Sequence, residues 1–179
     1  MADKKLLTTP IRQNRPMNKK RLLIIIAIIL TGLFFSYKLA YIFAPGSYPY
    51  AEYYELNYTE DEVIKAINKL KDAESKLLVP KVTIQGNGEW DLVDGKAKET
   101  DNWYIVYFYN KEKNEILFTW TRPAGQKTTT FAFVSINKGL DLGHWKDIND
   151  DFGFFENRKV KKHFEETILK KIKENLDSD

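Results

Sequence analysis

The chain has no cysteine, two histidines, six prolines and nine glycines among its 179 residues. Without cysteine there is no disulfide, no thiol nucleophile and no residue to carry a lipoprotein anchor. Two histidines, His144 and His163, fall short of a zinc set and have no ligand spacing. Serine catalysis lacks a carrier as well: Ser47, Ser75, Ser135 and Ser178 follow the first forty residues, none within Gly-x-Ser-x-Gly. The tightest glycine cluster, Gly86-Asn87-Gly88, is not followed by a helical pattern, so it does not form a phosphate-cradling loop. These absences lead to expecting no cofactor and to leaning away from an enzyme.

Charge of one sign is missing in two places. Residues 1–21 hold seven basic groups and one acid, Asp3, whereas no lysine or arginine occurs between Lys38 and Lys65. Of 28 basic residues 8 precede position 45 and 20 follow it; of 25 acids 1 precedes and 24 follow, so residues 45–179 carry a net charge of −4. The overall charge of +3 therefore belongs to the N-terminal tail. A folded part with a net negative charge argues against nucleic acid as a partner, because phosphate binding needs a concentrated positive face.

What is present in quantity is an apolar run, residues 21–43, uncharged from 22 to 35 and interrupted later only by Lys38. As a helix it would be about 33 Å long, enough to cross a hydrocarbon core of about 30 Å. The expected organisation is a basic cytoplasmic tail at 1–20, a transmembrane anchor at 21–44, a tyrosine-rich juxtamembrane linker at 45–58 and a folded domain at 59–179. The positive-inside rule then puts the tail in the cytoplasm and the domain outside it. A cleaved signal is the rival reading. It would have an unusually long apolar region, and residues 39–44 offer no small-x-small cleavage site. Arg21, Lys38, Tyr41, Tyr48 and Tyr50 are the expected residues at the membrane interface, with Tyr53 and Tyr54 continuing the belt. The lysine-, isoleucine- and asparagine-rich composition suits a bacterial inner membrane with the domain facing the periplasm.

The domain is expected to open with a helix. Thr59 and Glu62 form a capping box, and Val63, Ile67 and Leu70, with Ile64 and Leu77, make an apolar face that ends before Pro80. From residue 81 the period changes to two. Strands are expected at 82–84 and 90–92 around the glycine turn, then at 103–109, 116–121 and 128–136. Residues 103–109 (WYIVYFY) are apolar on both faces, which predicts a central strand, and Pro123 and Gly125 predict a turn. A second amphipathic helix is expected from about residue 157, with Val160, Phe164, Ile168, Ile172 and Leu176 four apart and His163 on its exposed side. The fold class is thus α+β: an antiparallel sheet of about five strands with an amphipathic helix before and after it. At the level of architecture alone, a helix followed by a curved antiparallel sheet resembles cystatin-like and NTF2-like domains, which implies a concave surface for a small ligand or peptide.

Two clusters are candidates for chemistry. Asp147, Asn149 and Asp151 alternate like the first oxygen ligands of a calcium loop. Phe152 stands where that loop needs glycine, however, and Arg158 where it needs a bidentate glutamate. The competing reading is a polar loop of Asx-turns anchored by Trp145, Phe152, Phe154 and Phe155 packing on the sheet. Glu89, Asp91, Asp94, Glu99 and Asp101 could supply the carboxylate pair of an envelope hydrolase. Against that, the anchor, the single small domain and the lack of catalytic spacing favour a non-enzymatic module. Such a module would act by contact with a protein partner outside the cytoplasm, in envelope assembly or in immunity to a toxin.

Overall fold

The computed structural model describes residues 18–43 and 48–178, with side chains only to residue 40 in the first segment. Most of the basic tail, Tyr41's side chain and the expected helix stop at Pro45-Gly46 lie outside the described residues. The chain forms two units, Met1–Ser47 and Tyr48–Asp179.

The first unit contains helix α1, Lys19–Phe43. Asn18 caps it, its side-chain oxygen accepting from the Lys20 N–H at 3.1 Å. Every side chain described along it is exposed, Leu22 to Leu39 included. Its most apolar 18-residue window has a mean hydropathy of 2.3, so the helix is long and apolar enough to cross a membrane, a test that a signal sequence also passes.

The second unit is α+β. Its main sheet has five antiparallel strands: β1 (Glu52–Leu56), β4 (Tyr104–Asn110), β5 (Glu115–Gly125), β6 (Thr128–Lys138) and β8 (Trp145–Asp147). The order is β1-β6-β5-β4, and β8 pairs with β6 beyond the end of β1. β6 is buried from Thr129 to Asn137, and a bulge near Val134 interrupts its alternation. Phe131, Phe133 and Ile136 therefore face one side, while Ala132 and Val134 face the other.

Two helical layers cover one face. Helix α2, Glu60–Ala73, starts at the expected capping box: Thr59 Oγ1 accepts from Glu62 N–H at 3.4 Å, and the Glu62 carboxylate accepts from Thr59 N–H at 2.7 Å. It ends at Ala73, earlier than the Pro80 stop suggested, and Leu77 is buried from a 3₁₀ turn, Ser75–Leu77. The C-terminal helix runs as α3 (Phe154–Phe164), a π-helical turn (Glu165–Leu169) and α4 (Lys170–Leu176). The π turn has a cause in the sequence. Apolar residues four apart drift by about 40° per step on a 3.6-residue helix, and a wider turn takes up the mismatch. Phe164, Ile168, Leu169, Ile172 and Leu176 consequently all reach the core, where Phe164 stacks on Phe133 with centroids 4.2 Å apart.

Several expectations need correction. The stretch read as a juxtamembrane linker contains β1, which joins the sheet because Glu52 to Leu56 match the free edge of β6. The hairpin at 82–90 does not enter the main sheet. β2 (Val82–Ile84) and β3 (Asn87–Trp90) pair with each other, and β2 pairs in parallel with the short β7 (Asp141–Leu142). The hairpin turns at Gln85 and Gly86, both at positive φ, rather than at Asn87. Asp141 holds that turn, its carboxylate accepting from Gly86 N–H at 3.1 Å and from Thr83 Oγ1 at 2.9 Å. Residues 104–110 form an edge strand, not a central one. β5 extends through Pro123 to Gly125, because β4 ends opposite Thr121 and asks for no N–H beyond it.

Replacing Thr59 by alanine is expected to cost about 1 kcal/mol, and Phe164→Ala about 3–5 kcal/mol, in urea unfolding. Equal costs for the two would show that the helix layer does not depend on its stacked core.

Candidate functional site

The face of the sheet opposite the helices carries a layer of aromatic rings. On β4 the odd positions point there, and Tyr107 stacks on Phe118 of β5 with centroids 5.5 Å apart. Trp145 of β8 meets Phe118 edge-on at 5.9 Å. Tyr48 meets Phe118 at 5.8 Å, Trp103 at 6.1 Å and Trp120 at 5.9 Å, and Tyr53 of β1 reaches Trp120 at 5.9 Å. Beneath them lie Ala51, Ala132 and Val134, small enough to let the rings settle on the strands. Trp120 is buried, and its indole N–H has no acceptor among the described residues. Tyr48, Trp103, Tyr107, Phe118 and Trp145 are only half-buried, and Tyr53 is exposed.

Two properties follow from this packing. Burial raises the pKa of the Tyr48 and Tyr107 hydroxyls, so the layer is uncharged at any ordinary pH. At one border Arg122 lies 5.6 Å from the Trp120 ring, a cation–π contact. Two residues apart on β5, Trp120 shares a face with Phe118, and that face is the aromatic one and not the helix-packed core. Tyr48, expected at the headgroup level, packs its ring into this layer, and Tyr50 is exposed. Arg21 and Lys38 are exposed on α1.

The five candidate carboxylates do not converge. Glu89 lies 3.6 Å from Lys81 on the exposed hairpin, Asp91 and Glu99 are exposed, and Asp101 accepts from Lys98 N–H at 2.9 Å. Asp94 alone is tied inward. Its carboxylate binds Lys71 and accepts from Tyr107 N–H at 2.9 Å, while Lys71 donates to the Tyr107 carbonyl at 2.6 Å and lies 4.9 Å above the Phe108 ring. The pair thus satisfies both backbone groups that Tyr107 presents on the free edge of β4. Burial lowers the pKa of Lys71, and the charge of Asp94 opposes that shift.

The 147–151 loop is a set of turns. Asp151 reaches back to accept from Asp147 N–H at 2.8 Å, and the Asp147 carbonyl accepts from Asp151 N–H at 3.0 Å, so the loop closes on itself rather than through the expected Asx-turns. Asn149 donates to Glu52 at 3.1 Å and accepts from Asn157 at 2.9 Å and from Lys161 at 3.2 Å. Its amide is therefore committed to a network with β1 and α3. Among the described residues no three His, Asp or Glu side chains are grouped to hold a metal ion. Trp145 packs on the sheet as expected, but Phe154 and Phe155 do not: they are 76% and 78% exposed.

His163 is not on an open helix surface. It pairs with Asn110 at 3.0 Å and lines a cleft of about 100 Å³ with Leu77, Leu117, Ile168 and Lys171. No motif spacing pointed there, because the cleft joins the β4–β5 turn to the C-terminal helix across fifty residues. No family model, curated protein or solved structure matches this chain.

Asp94→Ala is expected to destabilise the folded unit by about 3–5 kcal/mol by stranding Lys71. Lys71→Met combined with Asp94→Asn should cost less than that single change in urea unfolding. Burial, with Asp151 and Asp150 nearby, raises the pKa of Asp147 above its ordinary 3.8. A raised carboxyl contributes stability below the ordinary value and loses it as pH rises through the folded one. Asp147→Asn should therefore raise the unfolding midpoint at neutral pH, and millimolar calcium should leave the wild-type midpoint unchanged.

Proposed function

We propose that this chain is a single-pass membrane-anchored binding module, non-enzymatic, that meets a protein partner through the aromatic face of its sheet. The observation that carries the reading is the half-buried layer from Tyr53 to Trp145, on the side of the sheet opposite the helices of the folded unit. Tyrosine and tryptophan are the residues that supply most binding energy at protein interfaces, since they bury large area with little rotamer entropy to lose. A layer that is already packed and uncharged also loses little on association.

The anchor reading rests on the length and exposure of α1, and the orientation on the basic residues before it. With the tail in the cytoplasm, the folded unit acts on the extracytoplasmic side, as in a bacterial inner membrane facing the periplasm. An envelope assembly factor or an immunity-type protein would need no more than this. The scattered carboxylates give a hydrolase no acid–base pair to work with.

Benzoyl-phenylalanine placed at Tyr53 or Trp145 of the full chain, irradiated in native membranes, is expected to give one discrete adduct with a protein. The same group at Glu174, exposed on α4, should give none. Adducts absent at both aromatic positions, or equal at all three, would overturn the reading.

A further inference from the structure

The first turn of α3 exposes two adjacent phenylalanines, Phe154 and Phe155, which touch only edge-to-face at 5.3 Å. Arg158, Lys159 and Lys162 are exposed on the same helix, within about 140° of arc by the 100° step of an α-helix. The acids near them are Glu156 and Glu166, the latter 3.7 Å from Lys162. The neighbouring and opposite sides of α3 are accounted for: Lys161 binds Glu52 at 2.9 Å, Asn157 binds Asn149, and Phe164 enters the core.

We propose that this face of α3 docks on an anionic lipid surface, with Phe154 and Phe155 entering the headgroup–acyl boundary and Arg158, Lys159 and Lys162 meeting the lipid phosphates. An aromatic tip flanked by cations is the composition of a helix that lies in a membrane interface. Two observations select a bilayer as the occupant. Only residues 44–47 separate α1 from the folded unit, a chain that reaches at most about 18 Å when extended. Within the folded unit, the entry segment and α3 are joined directly. Asn149 N–H donates to the Tyr50 carbonyl at 3.1 Å, and its side chain accepts from Asn157 in the first turn of α3. The first turn of α3 is thus bonded, through Asn149, to the segment by which the chain enters the folded unit. The net charge of −4 over residues 45–179 opposes an unoriented approach to anionic lipid, so a local basic face would also set orientation.

The proposal rests on the membrane-anchor reading, and the test separates the two. Because the chain lacks cysteine, single cysteines can be introduced and spin-labelled without background. Full-length protein with Phe155→Cys, Ala27→Cys or Lys111→Cys is placed in phosphatidylcholine nanodiscs with or without about one-quarter phosphatidylglycerol. Collision with oxygen and with a nickel chelate then reports depth. The expected result is lipid depth at 27 in both discs, lipid depth at 155 in the anionic discs and water at 111. Reversing Arg158, Lys159 and Lys162 to glutamate should lower the docked population at 155 at least about tenfold. Water at 155 in anionic discs, with 27 still in lipid, overturns the docking and leaves the anchor standing. Water at 27 overturns the anchor itself. Equal depth at 155 in both discs overturns the role of anionic lipid. Shielding of 155 in native membranes but not in discs assigns the face to a protein instead.

Discussion

The backbone of β6 is the constraint on which the folded unit depends. A strand buried on both faces must have its N–H and C=O groups paired within the protein, because water cannot reach them. β5 supplies one edge. The other needs two strands from opposite ends of the sequence, β1 over Thr129 to Phe133 and β8 over Ser135 to Asn137. Between them the Val134 carbonyl accepts from Ile148 N–H at 3.0 Å. Even the buried hydroxyls on and beside this strand are used, Thr129 toward the Tyr58 carbonyl and Thr119 toward that of Val106.

That pairing has consequences well away from β6. Drawing residues 52–56 into the sheet brings Tyr48 and Tyr53 onto the aromatic face and Tyr54 onto the helical one, where it stacks on Phe164. Burial and the Glu165 carboxylate together raise the pKa of the Tyr54 hydroxyl. Bringing β8 alongside positions the 147–151 turns, and those turns set the start of α3. The segment entering from the anchor, the bound edge of the sheet and the exposed phenylalanines are thus linked through Asn149, Glu52 and Lys161. The opposite edge, β4, is closed differently. Gly95 exchanges backbone hydrogen bonds with Ile105 at 2.9 Å, and Lys71 with Asp94 satisfies Tyr107, so little of that edge is left to recruit another chain.

The two surfaces assigned to binding differ in kind. The aromatic layer is broad, half-buried and uncharged, suited to a partner that buries it in turn. The α3 face is narrow, protruding and basic, suited to a headgroup layer. If both proposals hold, docking on lipid would limit the directions in which the aromatic face can point.

Local physics was legible in the sequence wherever one residue and its near neighbours decide the outcome. The long apolar helix shows in an uncharged run, the first helix of the folded unit in the Thr59–Glu62 box, and β4 to β6 in runs rich in β-branched and aromatic residues. Legibility ended where a segment's role depends on what lies across the fold. Residues 52–56 read as linker because five residues with two glutamates acquire strand character only against the open edge of β6. WYIVYFY read as central because apolar residues on both sides are the same whether helices or other rings cover them. His163 entered a cleft and Phe154 and Phe155 stayed out of the core through long-range packing, which leaves no periodic mark. Composition and period determined most elements and the long apolar helix, whereas only tertiary pairing decided which edge, face and neighbour each strand and helix of the folded unit received.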